Sequence, residues 1–397
     1  MKKTKNLIII IFLLLIYIYV DYLSLIPDNV ILLEGEKINF KSLFGIQKVE
    51  TIKTVNDNTN ISNIEFKLFG KIPLKNVNIT TIDEIEVVPV GKIIGLKLYT
   101  HGVLIVGLSE IEDENNNIVN SYSNSDIKEG DTILKANDEE IEDIESLKEI
   151  VNKSGGKKIK LTLYRNGDIV TSNITPIKIG ASNYKLGFWV KDAATGVGTL
   201  TFYEPISKSF AALGHGITDS DTESLINIEA GELVTSRVIS IQKGKTENPG
   251  EIRGTILNQQ TIGIVENNSK FGIYGKLNNF TSLNLDVSKK MKIALRDEIE
   301  IGNAKILCAI DNSNVAKEYS IEIEKIYKDN DYNNKSMLIR VTDDELIEKA
   351  GGIVRGLSGA PIIQNNKFVG AVTNVLVSNP EIGYGIFADL MIKEMKM

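Results

Sequence analysis

The chain is poor in the residues that build covalent frameworks and metal centres. Of its 397 residues one is a cysteine, Cys308, so no intrachain disulfide can form and a disulfide-stapled secreted fold is excluded. Two histidines, His101 and His215, are too few for a histidine-rich zinc site, and nothing in the sequence asks for a metal or a cofactor. Basic residues are outnumbered 45 to 52, a formal charge of −7, and no dense Lys/Arg block occurs, which argues against nucleic acid as a partner. What is there is an ordinary globular composition, 42% hydrophobic and 24% charged, which rules out wholesale disorder. At about 100–200 residues per domain the length predicts two or three domains.

Three early lysines precede an unbroken apolar run from Leu7 to Val20, which Tyr22, Leu23, Leu25 and Ile26 extend with one charge, Asp21, near its outer end. Residues 1–26 therefore read as an N-terminal membrane anchor, with the lysines inside and the bulk of the chain exported. A cleaved signal segment is the competing reading, but no A-x-A-like site follows the run. Residues 27–90 read as a β-rich spacer, since Ile64 to Ile72 alternate with period two.

From 91 to 178 the pattern changes to a compact unit. Val103–Val106 is a short apolar strand, Gly130-Asp131 a turn feeding another, and Ile144, Leu147, Ile150 and Val151 mark one helix face. Asn166-Gly167 joins two alternating segments as a hairpin. This arrangement resembles a PDZ domain, which binds an extended peptide by adding it to a sheet edge, so a peptide ligand is expected. From 179 to 397 short strands separated by turn residues favour a β-barrel or sandwich.

The chemistry concentrates in two places. Gly356-Leu357-Ser358-Gly359-Ala360-Pro361 fits G-x-S-G-x-P, a serine on a tight turn with backbone N–H groups of Gly356 and Ser358 available to face an oxyanion. Ala360 breaks the G-x-S-x-G elbow. A hairpin around Asn365-Asn366 follows instead of a helix, which disfavours an α/β-hydrolase and suits a β-barrel protease. Leu213-Gly214-His215-Gly216 supplies the base, because a histidine between glycines is poorly explained by core packing. His101 reads as structural or as lining the peptide groove, and Cys308 as a core strand residue. For an orienting acid the residues leave Asp219, Asp297 and Asp343 open.

The runs from Gly196 to Asp219 and from Leu346 to Ile363 closely resemble the stage IV sporulation protein B family, membrane-anchored serine peptidases of endospore-forming bacteria. The resemblance covers nearly the whole chain. It implies a mainly β fold: a PDZ domain followed by a chymotrypsin-like double β-barrel serine peptidase, behind an N-terminal membrane anchor. Residue by residue it carries the base to His215 and the nucleophile to Ser358. The family's acid falls in the Val-Thr-Asp stretch fifteen residues before the serine, here Asp343. Ala360 departs from the serine common in relatives. The resemblance further implies export to the space between the two forespore membranes and cleavage of self and of a membrane-bound regulator. That cleavage releases an intramembrane metalloprotease which activates a late mother-cell sigma factor. Self-cleavage is expected between Pro27 and Ile64, where the chain is polar and tethered close to the active site. The competing readings are a non-catalytic PDZ adaptor with a vestigial protease domain and a quality-control protease, whose PDZ domains would follow rather than precede the peptidase.

Overall fold

The structure is a computed structural model that describes residues 2–24, 26, 29–33, 45–54, 60–82, 85–165, 167–328 and 334–396. Its contacts divide the chain into two compact units, Met1–Glu86 with Lys292–Glu298, and Val87–Met291 with Ile299–Met397. The chain is mainly β, as its turn-punctuated sequence predicts.

In the first unit, helix α1 (Lys2–Ser24) precedes a four-stranded sheet of β1 (Asn29–Leu33), β2 (Ile46–Thr54), β3 (Asn60–Leu68) and β4 (Ile72–Ile82), in the order β1-β4-β3-β2. Ile64 and Phe66 bury the same face with Val77 and Ile79, the two-residue alternation read from the sequence. The expected N-terminal span coincides with α1, most of whose side chains lie outside the described residues. Among the described residues no helix is long and apolar enough to cross a membrane. Much of the expected self-cleavage window, including Pro27 and residues 55–59, also lies outside them.

The second unit is organised by one long strand, β5 (Glu86–Leu108). Its far end enters the PDZ-like sheet with β8 (Thr132–Ala136), β10 (Ile159–Arg165) and β11 (Asp168–Ile174), in the order β11-β10-β8-β5. Short strands fill in around it. β6 (Ile111–Glu112) pairs with β7 (Ile118–Val119), β9 (Glu139–Glu140) with β8, and β12 (Ile177–Lys178) with β13 (Tyr184–Lys185). Helix α2 (Ile144–Lys153) starts at a capping box, Asp143 accepting from the Ser146 N–H while the Ser146 side chain accepts from Asp143. It buries Leu147, Ile150 and Val151, the predicted face. Arg165 binds Asp131 through Nε and Nη2 at 2.6 and 2.7 Å, fixing the Gly130-Asp131 turn to the end of β10.

The near end of β5 starts a barrel with β14 (Phe188–Glu204), β15 (Ser209–Ala212), β16 (Ile228–Gln242), β17 (Glu251–Ser269) and β18 (Gly272–Leu277). Antiparallel pairings run β5-β14-β15-β18-β17-β16 and return to β5, closing a ring of six strands. Val90, Ile94, Leu96, Leu98, Leu200 and Phe210 fill it. β5 leaves the barrel at Thr100, its last residue paired with β16, and joins β8 at Val103. Gly102 stands between with φ +87, and a Cβ there would lie 2.3 Å from the Ile133 carbonyl oxygen, so only glycine lets the strand change sheets. β14 makes the same passage in reverse. Its residues 188–191 pair with 108–104 in the PDZ-like sheet and 193–203 with 99–88 in the barrel. Leu186, Phe188 and Val190 thereby pack into the PDZ-like core beside α2.

After a two-residue strand, β19 (Met291–Lys292), a second closed barrel follows: β20 (Gly302–Cys308), β21 (Lys317–Ile326), β22 (Met337–Val341), β25 (Asn379–Phe387), β24 (Lys367–Leu376) and β23 (Pro361–Gln364), in that order of pairing. Asn365 and Asn366, at φ 51 and 58, make the predicted two-residue turn between β23 and β24. Phe202 of the first barrel meets Phe368 of the second edge-to-face at 5.2 Å. Two helices, α3 (Asp344–Ala350) and α4 (Ala388–Lys396), interrupt a region whose sequence shows almost no helical spacing. α4 packs on β15 and β18 of one barrel and β24 and β25 of the other.

Candidate active site

A cleft of about 820 Å³ in the second unit is lined by both His215 and Ser358. Four stretches wall it: Ala194–Gly198 of β14, the segment after β15 from Leu213 to Thr218, the turn before β23 from Ile353 to Ser358, and Thr373–Val375 of β24. Two residues 143 apart in sequence are thus brought to one wall-to-wall site by the meeting of the barrels.

The serine turn is held by its carbonyls. The Thr199 N–H donates to the Ser358 oxygen at 3.2 Å, and Thr199 Oγ1 donates to the Gly356 oxygen at 2.7 Å. The Ala360 N–H closes the turn on the Leu357 oxygen, and the Gly359 N–H reaches the Val372 oxygen at 2.7 Å. The N–H groups of Gly356 and Ser358 have no acceptor among the described residues and are the free donors that an oxyanion needs. Gly359, at φ +95, packs so closely that a Cβ would lie 2.4 Å from the Thr199 oxygen and 2.5 Å from the Leu213 nitrogen. Thr199 lies within the Gly196–Asp219 run, but its role as the brace of the serine turn has no signal in the sequence.

His215 follows Leu213 and Gly214, both left-handed at φ 70 and 69, a reversal that turns the chain out of β15 into the cleft. Its Nδ1 stands 2.8 Å from the Gly216 carbonyl oxygen. A carbonyl only accepts, so Nδ1 carries the proton and the Nε2 lone pair is left for chemistry. Burial lowers the imidazole pKa below its ordinary value, with the Gly216 carbonyl opposing. Ser358 Oγ donates to the Thr373 oxygen at 2.6 Å rather than to His215. One acidic side chain, Glu223, lines the cleft, against two basic ones, Lys270 and Arg355.

The three acid candidates lie elsewhere. Asp343 is not among the residues that line the cleft. It is the N-cap of α3, accepting from the Leu346 N–H and, through its other oxygen, from the Ser320 N–H, each at 3.2 Å. Asp219 binds Lys191 at 2.9 Å and gathers the loop after His215. Asp297 belongs to the first unit. Among the described residues no carboxylate touches His215; the Gly216 carbonyl holds the position of the orienting acceptor. Asn caps a helix as well as Asp does, so Asp343→Asn should keep α3, lose the bond from Ser320 because its NH2 cannot accept, and leave kcat/KM within about threefold. A loss beyond about 100-fold, measured on a short peptide substrate, would return Asp343 to the acid's role.

The remaining two candidates lie outside the cleft. His101 is half exposed and lies 3.9 Å from Glu229. Cys308 is fully buried in β20, where burial pushes its thiol pKa up and keeps it from acting as a nucleophile. No group of three or more His, Cys, Asp or Glu side chains that could hold a metal occurs among the described residues.

A family model described as SpoIVB peptidase S55 matches residues 182–392, just over half of the chain. The chain belongs to the SpoIVB peptidase S55 family. A PDZ domain model matches residues 106–175. No curated protein matches this chain. Family membership makes it a serine peptidase of sporulation, and the S55 match encloses both His215 and Ser358. The PDZ match ends before Phe188–Lys191, although the pairing of those residues with β5 completes the PDZ-like sheet.

Proposed function

We propose that this chain is a signalling serine endopeptidase with the chymotrypsin-like arrangement, in which Ser358 is the nucleophile and His215 the general base. The observation that carries the reading is one cleft shared by His215 and Ser358, with the Gly356 and Ser358 N–H groups free beside them. Two closed six-stranded rings meeting at that cleft support the chymotrypsin-like comparison. In the reaction Nε2 of His215 takes the hydroxyl proton as Ser358 Oγ bonds to the scissile carbonyl carbon. The carbonyl π pair moves onto the oxygen between the two N–H groups. Collapse of the tetrahedral species expels the amine, which takes the proton from His215, and water repeats the sequence on the acyl-enzyme. For this the Ser358 hydroxyl must leave the Thr373 oxygen and turn to His215.

The physiological substrates in this reading are the chain itself, cut between Pro27 and Ile64, and a membrane-bound regulator of an intramembrane protease upstream of a late sigma factor. The apolar run and its lysines support an anchored, exported peptidase in the forespore intermembrane space. A PDZ-bound peptide would be part of substrate delivery.

Labelling with a fluorophosphonate probe tests the reading: wild type should be modified at Ser358 and Ser358→Ala should not. The absence of a His215–Ser358 hydrogen bond favours a second reading, a non-catalytic adaptor, and that reading requires no labelling of either protein.

The pH profile follows from the environment of His215. Its base form persists to lower pH than a free imidazole, so the acid limb of kcat/KM should fall below about 6.5. The sign for stability agrees. The unfolded chain binds this proton first, so stability falls as pH drops below about 6.5. An acid limb above 7 would remove His215 from the base's role.

A further inference from the structure

The loop that follows His215 is tied to the PDZ-like sheet by an ion pair. Residues Gly216, Ile217, Thr218, Glu223 and Leu225 of this loop line the cleft. Asp219, 5% exposed, organises it: Oδ1 accepts from the N–H groups of Asp221 and Thr222 at 3.0 and 3.1 Å. Its other oxygen accepts from Lys191 Nζ at 2.9 Å, and the same ammonium binds Asp221 at 2.5 Å. Lys191 is the last residue of β14 paired with the PDZ-like half of β5, opposite Leu104. Thr222 and Ser224 lie near Gly130 of the PDZ-like turn, where a Cβ would come within 3.3 Å of Ser224 Oγ.

Asp219 contributes a buried carboxylate, which is costly unless paired, and its partner cation comes from the PDZ-like sheet. The two aspartates take two of the three ammonium donors of Lys191, so the pair ties the start of the turn from Asp219 to Ser224 to β14. β14 continues, past an irregularity after Lys191, into Ala194–Gly198, the opposite wall of the cleft. Strand and loop are therefore locked together at the point where the two sheets exchange strands.

We propose that Lys191 is a positioning residue for catalysis: through Asp219 and Asp221 it sets the loop that presents His215, so the geometry of the peptidase site depends on the PDZ-like sheet. The proposal rests on the reading of His215 and Ser358 as a catalytic pair. It makes the PDZ-like unit a structural part of the active site as well as a place for peptides to dock.

The experiment compares wild type, Lys191→Ala, Lys191→Arg, Asp219→Asn and the Lys191→Ala/Asp219→Asn double variant of the full chain. Lys153→Ala, at an exposed pair on α2, serves as control. On a short chromogenic peptide, Lys191→Ala should lower kcat about 30–100-fold with KM within about twofold, the signature of a misplaced catalytic group rather than lost binding. Lys191→Arg should recover most of the rate, and the double variant should be no slower than the worse single variant. Amide exchange at Asp221 and Thr222 should accelerate in Lys191→Ala whether or not the protein cleaves anything. An unchanged kcat in Lys191→Ala, additive losses in the double variant, or unchanged exchange would each overturn the proposal. A wild-type chain that neither cleaves nor labels would overturn the catalytic assignment, while the exchange measurement still decides whether Lys191 holds the loop.

Discussion

Ser358→Ala is expected to lower kcat/KM by about three to six orders of magnitude, His215→Ala by a similar amount, and the double variant by little more than either. The shared loss follows from their acting on one proton. Without the Nε2 lone pair the hydroxyl has no acceptor as it attacks, and without the hydroxyl the lone pair has nothing to activate. Residual activity should survive in both, because the Gly356 and Ser358 N–H groups remain to stabilise an oxyanion. Folding should be little affected, since the Ser358 hydroxyl makes one hydrogen bond, to Thr373, and His215 one, to its neighbour Gly216. The measurement is kcat/KM on a peptide substrate with denaturant midpoints alongside. Wild-type-like turnover by either single variant would refute the assignment, and losses that multiply in the double variant would show that the two residues act separately.

Gly359→Ala carries the second large effect, and there the fold fails as well as the chemistry. The added methyl would stand 2.4 Å from the Thr199 oxygen and 2.5 Å from the Leu213 nitrogen, both backbone atoms that cannot swing aside, at a φ of +95 that alanine resists. A left-handed alanine with an unrelieved backbone clash should cost at least about 3 kcal/mol. The damage is placed where it costs most: Thr199 braces the serine turn, and Leu213 begins the reversal that leads to His215. Both fluorophosphonate labelling and the denaturant midpoint should drop sharply. An alanine variant that keeps its midpoint within about 1 kcal/mol of wild type would mean that the turn relaxes away from this packing.

The parts of this molecule that could be read in the sequence are those written in local chemistry. α2 announced itself through helical spacing and a polar start, the β10–β11 hairpin through Asn166-Gly167, with Asn166 itself outside the described residues, and the serine turn through glycines flanking Ser358. Asp343 shows the limit. An aspartate before a leucine-bearing helix and an aspartate that orients a histidine look alike in one dimension, and the structure gives Asp343 the capping geometry. The acceptor at His215 was illegible for a different reason: it is a backbone carbonyl, which every residue carries. Nor could β5 and β14 be seen to serve two sheets each. A strand buried on both faces over long stretches reads as one apolar run whichever core it enters, and the glycine that permits the crossing, Gly102, looks like any turn residue.

The crossing of β5 and β14 has a consequence for the order in which the protein folds. Trp189 pairs with Gly107 about 80 residues earlier, and closing a floppy loop of that length would cost on the order of 4 kcal/mol of chain entropy before any contact rewards it. The intervening segment does not stay floppy, because α2, β8, β10 and β11 pair over short separations and can assemble by themselves around a local core. Once they have, residues 104–108 and 188–191 are already side by side, which brings residues 88–99 and 193–203 of the same two strands near one another. The pairing in the small sheet then brings the strands together for the eleven-residue stretch up to Tyr203, whose register shifts after Lys191 and again between Leu200 and Phe202. A slip of one position would exchange the faces of Val88, Val90, Leu200 and Phe202, so a PDZ-like sheet that forms first would limit the registers open to these two strands in the barrel.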